Sequence, residues 1–200
     1  MTNTTPLNIK VIAGSTREGR FSDKAAMWIA EEIKKQKEEV SVEVLDLRDY
    51  EMPFFNEAVS PAFKQEPYKN EAVARFTKKI EEGDAFVIVT PEYNHGTSGV
   101  LKNAFDWVYP EWNNKTVAFV SYGSVGGARA VEQLRQSAIE LQMAPIREAV
   151  HIPGEQYFPV VFGKGEVKDL LASQSKKAEV MIHQLMWWAR ALKNARGNFL

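Results

Sequence analysis

The chain predicts a doubly wound α/β fold of three layers, a five-stranded parallel sheet in the order 2-1-3-4-5 with helices on both faces. Three observations lead to it. Short runs rich in β-branched residues alternate with stretches of helical spacing, the pattern of strands joined by crossover helices. One run, Ala85-Phe-Val-Ile-Val89, is apolar at every position rather than at alternate ones, as a strand buried on both faces requires. Two loops rich in glycine and polar residues follow the first and third strands, whose carboxyl ends in this order flank the switch point where ligands bind.

The first strand, Leu7 to Ala13, is short and stops at Gly14. Helical spacing over residues 24–39 and a second strand over 40–47 follow. Residues 48–69 are irregular and carry Pro53, Phe54, Phe55, Pro61, Phe63, Pro67 and Tyr68. That stretch reads either as a self-packed surface loop or as the border of a pocket or subunit interface. A helix over 71–82 precedes the central strand, 85–90. In the helix over 98–109, Leu101, Ala104, Phe105 and Val108 follow the i, i+3, i+4, i+7 rule and face the sheet, and Lys102 and Asp106 form a surface pair. A strand over 116–121, a helix over 128–143 and a weaker fifth strand over 146–152 complete the alternation. Residues 166–193 read as one long helix with Met181, Leu185, Trp188 and Leu192 on its core stripe and Trp187 pointing to a loop or a second subunit. Without repeats, low-complexity tracts or linkers, residues 1–200 read as a single domain.

Composition removes several classes of function. The 200 residues are 44% hydrophobic and 26% charged, enough for a sizeable core. A net charge of -1 offers no field for nucleic acid or an anionic membrane. With no cysteine, thiol nucleophiles, disulfides and thiolate metal sites are excluded, so redox chemistry requires a bound cofactor. His95, His151 and His183 lie far apart without metal-ligand spacing, and no metal is expected. No run approaches the roughly 20 apolar residues of a membrane span, and the N-terminus has no signal-like stretch, which reads as cytoplasmic.

Residues 14–22 have the makings of an anion cradle. They offer the hydroxyls of Ser15, Thr16 and Ser22, the guanidinium groups of Arg17 and Arg20, and backbone N–H groups entering a helix near Asp23. Gly14 and Gly19 have Walker A spacing, but Arg20-Phe21 stands where a lysine and a hydroxyl residue are required, which excludes a nucleoside triphosphatase. The Gly-x-Gly-x-x-Gly fingerprint for dinucleotides is missing too. A single phosphate held without metal fits best.

The loop after the third strand, Pro91-Glu92-Tyr93-Asn94-His95-Gly96, can seat a flat heterocycle. Asn94 and backbone amides match a polar ring edge, and Tyr93 and His95 supply flat faces. His95 reads as either a general acid or a loop imidazole bonded to backbone. Thr97 or Ser98 can cap the next helix. A third loop, Ser121-Tyr122-Gly123-Ser124-Val125-Gly126-Gly127, follows strand four, and its glycines allow close backbone approach to a ligand.

Together these segments resemble the NAD(P)H-dependent FMN reductases, a flavodoxin-like family that includes quinone, azo and chromate reductases. Pro-Glu-Tyr-Asn-His-Gly followed by Gly-Val-Leu-Lys-Asn-Ala-Phe-Asp-Trp is similar to the family's flavin-contacting signature, and residues 121–127 to its Ser-x-Gly-x-x-Gly-Gly loop. The resemblance spans residues 8–150. Thr97-Ser98 departs from it, because many relatives have proline at the second position. It implies that Ser15, Arg17 and Ser22 hold the phosphate of a non-covalent FMN, with Arg20 and Phe21 also among the cofactor-binding residues. Pro91, Glu92, Tyr93, Asn94 and His95, with Ser121, Tyr122, Gly123, Gly126 and Gly127, would line the rest of that cofactor. It also implies NADPH or NADH as co-substrate, ping-pong hydride transfer through flavin N5 to a quinone, free flavin or azo compound, no catalytic side chain, and a homodimer or homotetramer. A flavin-binding electron carrier or redox-sensing interaction protein is the alternative, and the near-neutral charge speaks against a carrier.

Overall fold

The computed structural model describes residues 6–36, 39–64 and 67–199. Residues 37 and 38 of the expected first helix, 65 and 66 of the long irregular stretch, and the first five residues of the N-terminus lie outside the described residues. The elements run β1 (Leu7–Ala13), α1 (Ser22–Lys34), β2 (Val40–Asp46), α2 (Glu71–Glu82), β3 (Ala85–Pro91), α3 (Gly99–Trp107), β4 (Thr116–Gly123), α4 (Ala128–Glu140), β5 (Ala144–Pro145), β6 (Val150–Pro153), α5 (Gly154–Val161), α6 (Val167–Ser173) and α7 (Ser175–Phe199). Every pairing is parallel, and the order is β2-β1-β3-β4 with β5 and β6 both alongside β4.

The expected order 2-1-3-4-5 is therefore present, but two short strands share the fifth place. The N–H groups of Ala144 and Ile146 donate to Lys115 O and Val117 O of β4, and the ladder then lapses until Val150. Side chains satisfy the gap: Arg135 donates to the carbonyls of Ile146 at 2.6 Å and Arg147 at 3.0 Å, and Glu148 N–H donates to Gln184 Oε1 at 2.9 Å.

β3 lies at the centre and every one of its residues is buried. Ala85, Val87 and Val89 join the core beneath α1, α6 and α7, and Phe86 and Ile88 join the one beneath α2, α3 and α4. On α3 the predicted stripe of Leu101, Ala104, Phe105 and Val108 is buried, and the Lys102–Asp106 pair is exposed at 2.6 Å. α5 was not foreseen. The single long helix expected over 166–193 is two, jointed at Gln174, whose buried amide donates to Gln156 and Ser173 at 2.9 and 2.8 Å. Trp188 does not join the core: it is 38% exposed and meets Trp187 edge-on.

Residues 48–64 and 67–69 fold back on α3. Asn103 accepts from Phe55 N–H at 2.9 Å and donates to Pro53 O at 2.8 Å, and Trp107 Nε1 donates to the same carbonyl at 2.7 Å. The stretch packs on α3 while leaving Phe54 and Phe63 exposed, and it borders a hollow of ≈ 530 Å³ lined by Thr16, Arg48, Tyr50, Met52, Val100 and Asn103. A larger hollow of ≈ 1290 Å³ lies between α1 and α7, lined by residues such as Glu32, His183 and Trp187.

Candidate functional site

The three loops singled out in the sequence all leave the carboxyl edge of the sheet, after β1, β3 and β4. Loop one begins where Gly14 N–H donates to Val89 O at 2.8 Å, and a Cβ on Gly14 would lie 2.7 Å from that oxygen, so this approach requires glycine. Its carbonyls then turn, one after another, to donors from elsewhere. Gly14 O accepts from Ser98 Oγ, and Ser15 O from Arg20 Nη1 at 3.1 Å and Ser22 Oγ at 3.4 Å. Thr16 O accepts from Arg48 Nε at 3.1 Å, and Arg17 O from Arg48 Nη2 at 2.8 Å. In a trans peptide the N–H points opposite to the C=O, so fixing a run of carbonyls presents amides on the other side. Among the described residues, the N–H groups of Thr16, Glu18 and Gly19 have no acceptor. α1 begins beneath them without a side-chain cap, whereas Asn70 caps α2 and Ser98 caps α3.

The two arginines of loop one take different places. Arg17 is exposed, and among the described residues its guanidinium has no hydrogen-bond or ion-pair partner. Arg20 is 8% exposed and turned inward, to Ser15 O and into an ion pair with Asp46 at the end of β2. It braces the loop from below. Phe21 is likewise core, meeting Tyr122 edge-on at 5.0 Å between centroids. Ser15 Oγ lies 2.8 Å from the Tyr93 hydroxyl, which joins loop one to loop two.

Loop two is a tight hairpin. Tyr93 and Gly96 exchange backbone hydrogen bonds at 2.9 and 3.0 Å, and Asn94 and His95 at its tip both have positive φ, 49° and 68°, as in a type I′ turn. Both tip residues are exposed; it is the His95 carbonyl that is held, by Gln133 Nε2 at 3.1 Å. The Glu92 carboxylate accepts from Arg129 N–H at 3.1 Å in the first turn of α4 and pairs with that residue's guanidinium, a favourable place for negative charge. Glu92 thus fastens loop two to α4, and Pro91 is buried in the sheet beside Tyr122.

In loop three Ser121 Oγ donates to Gly126 O at 2.6 Å and lies 2.8 Å from His151 Nδ1. Burial pulls the His151 pKa below the usual imidazole value, which keeps the ring neutral. Gly127, at φ 74°, lies so close to strand β4 that a Cβ would stand 2.7 Å from that of Ser121. Burial drives the Tyr122 phenol far above its ordinary range, and the Ser22 side chain lies beside it.

Sequence reasoning missed Arg48, Asp46, His151 and Tyr157 at this edge. Arg48 and Asp46 adjoin the carboxyl end of β2, and Tyr157 follows the last strand, so position relative to strand ends is the signal that would have found them. The brackets of loop one against α3 and of loop two against α4 required the fold.

The chain matches the profile of the family described as NADPH-dependent FMN reductase over residues 7–156. The chain belongs to that family. It is 35% identical over 150 residues to an NAD(P)H-dependent FMN reductase of Schizosaccharomyces pombe, covering 74% of each chain. It is 33% identical over 143 residues to a quinone reductase of Pseudomonas putida, covering 68% of this chain and 72% of that one. Its fold is flavodoxin-like: a flavodoxin from Pseudomonas aeruginosa, 12% identical, superposes with a TM-score of 0.53 over 86% of this chain and 99% of the other. The chain is accordingly an oxidoreductase with FMN as cofactor and NAD(P)H as co-substrate. The residues present fit FMN, because loop one offers amides without an acceptor, an uncapped helix start and an unpaired arginine, the kind of donors and cation a phosphate monoester needs.

Proposed function

We propose that this chain is a single-domain, cytoplasmic FMN-dependent NAD(P)H oxidoreductase that reduces planar acceptors such as quinones, free flavins or azo compounds, working as a homodimer or homotetramer. The observation that carries the site assignment is the run of loop-one carbonyls bound to Ser98, Arg20 and Arg48, with the Thr16, Glu18 and Gly19 N–H groups left without an acceptor. On this reading the Thr16, Glu18 and Gly19 amides and the hydroxyls of Ser15 and Ser22 hold the phosphate, and Arg17 neutralises it. Arg20 and Phe21 keep the loop in shape from within.

Asn94 and the loop-two amides serve the polar edge of the ring system, with Tyr93 and His95 beside it. Glu92 and Pro91 hold that loop in register, and Ser121, Tyr122, Gly123, Gly126 and Gly127 bring the β4 backbone close to the ring. FMN held there would supply the redox chemistry, hydride exchange between NAD(P)H and the acceptor in a ping-pong order. The side chains orient the cofactor and exclude water; none is called on as nucleophile or essential acid. Support for quinone as one acceptor comes from the similarity to the Pseudomonas putida quinone reductase.

The test is the visible spectrum of protein reconstituted with FMN and desalted, recorded anaerobically. Flavin bands should persist, bleach with NADPH or NADH, and return on adding a quinone after the nucleotide is removed. Bands that persist but never bleach would support the electron-carrier reading instead. Arg17→Ala should weaken FMN binding at least ~10-fold, the loss of a charge-assisted hydrogen bond of about 1.5–3 kcal/mol. Full affinity in that variant would contradict the phosphate role.

A further inference from the structure

α5 leaves the sheet directly from β6, at the same carboxyl edge as the three loops. Its start is fastened to loop three: Gly154 N–H donates to Ser124 O at 3.2 Å, and a Cβ on Gly154 would lie 3.1 Å from Ser124 Cα and 2.6 Å from the Phe158 ring. The helix carries Tyr157 against loop one. The Tyr157 ring meets Phe21 edge-on with centroids 5.3 Å apart and lies 5.0 Å from Tyr122, so aromatic neighbours on two elements fix its orientation. Those two neighbours precede Ser22 and follow Ser121, residues of the phosphate loop and the glycine loop.

The Tyr157 side chain is half-buried, and among the described residues its hydroxyl has no hydrogen-bond partner, in contrast to the Tyr93 hydroxyl, which Ser15 takes. Burial raises its pKa, the Tyr93 phenol adds to the rise and the Arg17 guanidinium opposes it, so the group is a neutral donor near both. A ring held by packing against Phe21 of loop one, with its O–H unpartnered among the described residues, loses little freedom on meeting an anion.

We propose that Tyr157 is a further phosphate-binding residue, donating its phenolic O–H to the FMN phosphate held by loop one and thereby setting the preference for FMN over riboflavin. This rests on the phosphate reading of loop one. The experiment measures binding of FMN and of riboflavin to the apo-protein by flavin fluorescence quenching, for the wild type, Tyr157→Phe and Arg17→Ala. Riboflavin lacks only the phosphate, and Tyr157→Phe keeps the ring that packs on Phe21 and Tyr122. FMN affinity should fall about 10-fold or more in Tyr157→Phe while riboflavin affinity stays within about two-fold. Equal losses for both ligands would assign Tyr157 a packing role and overturn the proposal, as would unchanged affinity for both. If the wild type binds both flavins equally and Arg17→Ala changes nothing, the loop-one reading falls as well. If Arg17→Ala selectively weakens FMN and Tyr157→Phe does not, the Tyr157 proposal alone falls.

Discussion

Gly127 shows how little room the glycine loop leaves. Its φ of 74° and the 2.7 Å that would separate an added Cβ from that of Ser121 act together, since the clashing atoms belong to a central strand that cannot move aside. Gly127→Ala should destabilise the fold by about 1–3 kcal/mol, read as a lower denaturant midpoint, and should weaken FMN and riboflavin binding alike. Arg17 and Arg20 make the complementary point about charge. Both guanidinium groups were offered by the loop in the sequence, and the resemblance gave the phosphate to Arg17. Asp46, 26 positions along the chain from Arg20, decides which arginine turns inward. Residue type and spacing announced an anion site; the division of labour within it depends on a contact that only folding creates.

Elements were legible where apolar periodicity was strong and unbroken. β1 matches its expected span, β3 and β4 run on slightly beyond theirs, and α3 buries the stripe that its spacing predicted. The chain became hard to read where proline and glycine interrupt a pattern without ending the structure. Gly154 and Pro159 lie within α5 although both residues ordinarily break helices. That is why Tyr157, the one aromatic of α5 that reaches loop one, could not be placed from sequence. Loop two owes its position to α4 through Glu92, whose side chain is only 5% exposed. Glu92→Ala should cost about 1 kcal/mol by removing a carboxylate from a helix N-terminus, and it should also lower FMN affinity. Equilibrium unfolding and flavin titration of one preparation would check both.

Binding and anchoring occupy opposite ends of the sheet. The loops lie at the carboxyl edge. At the amino edge Asp84 accepts from Asn8 N–H at 3.0 Å and pairs with Lys193 at 2.6 Å and Arg196 at 2.8 Å, tying α7 to β1 and β3. Beside it the Lys115 ammonium donates to the carbonyls of Ile80 and Glu81, both at 2.8 Å, yet burial pulls its pKa down from 10.5 to about 8. Between those two values the unfolded chain holds a proton that the folded chain releases. The burial penalty is therefore complete below about pH 8 and is relieved as the pH rises toward 10.5. Relative to a Lys115→Met variant, the wild type should gain up to about 3 kcal/mol between pH 7 and pH 10.5, measured by urea unfolding at each pH. FMN should raise the melting temperature, by the equivalent of about 2.7 kcal/mol at 100 times its dissociation constant.

Lys193 also donates to Pro6 O at 2.9 Å, so the first described residue and the last turns of α7 lie side by side. A chain with these neighbours can be reconnected. A short linker from the end of α7 to Pro6, with new ends opened at the exposed turn around Gly163, would reorder the sequence while leaving the sheet and all three loops uncut. Such a circular permutant should fold and retain FMN.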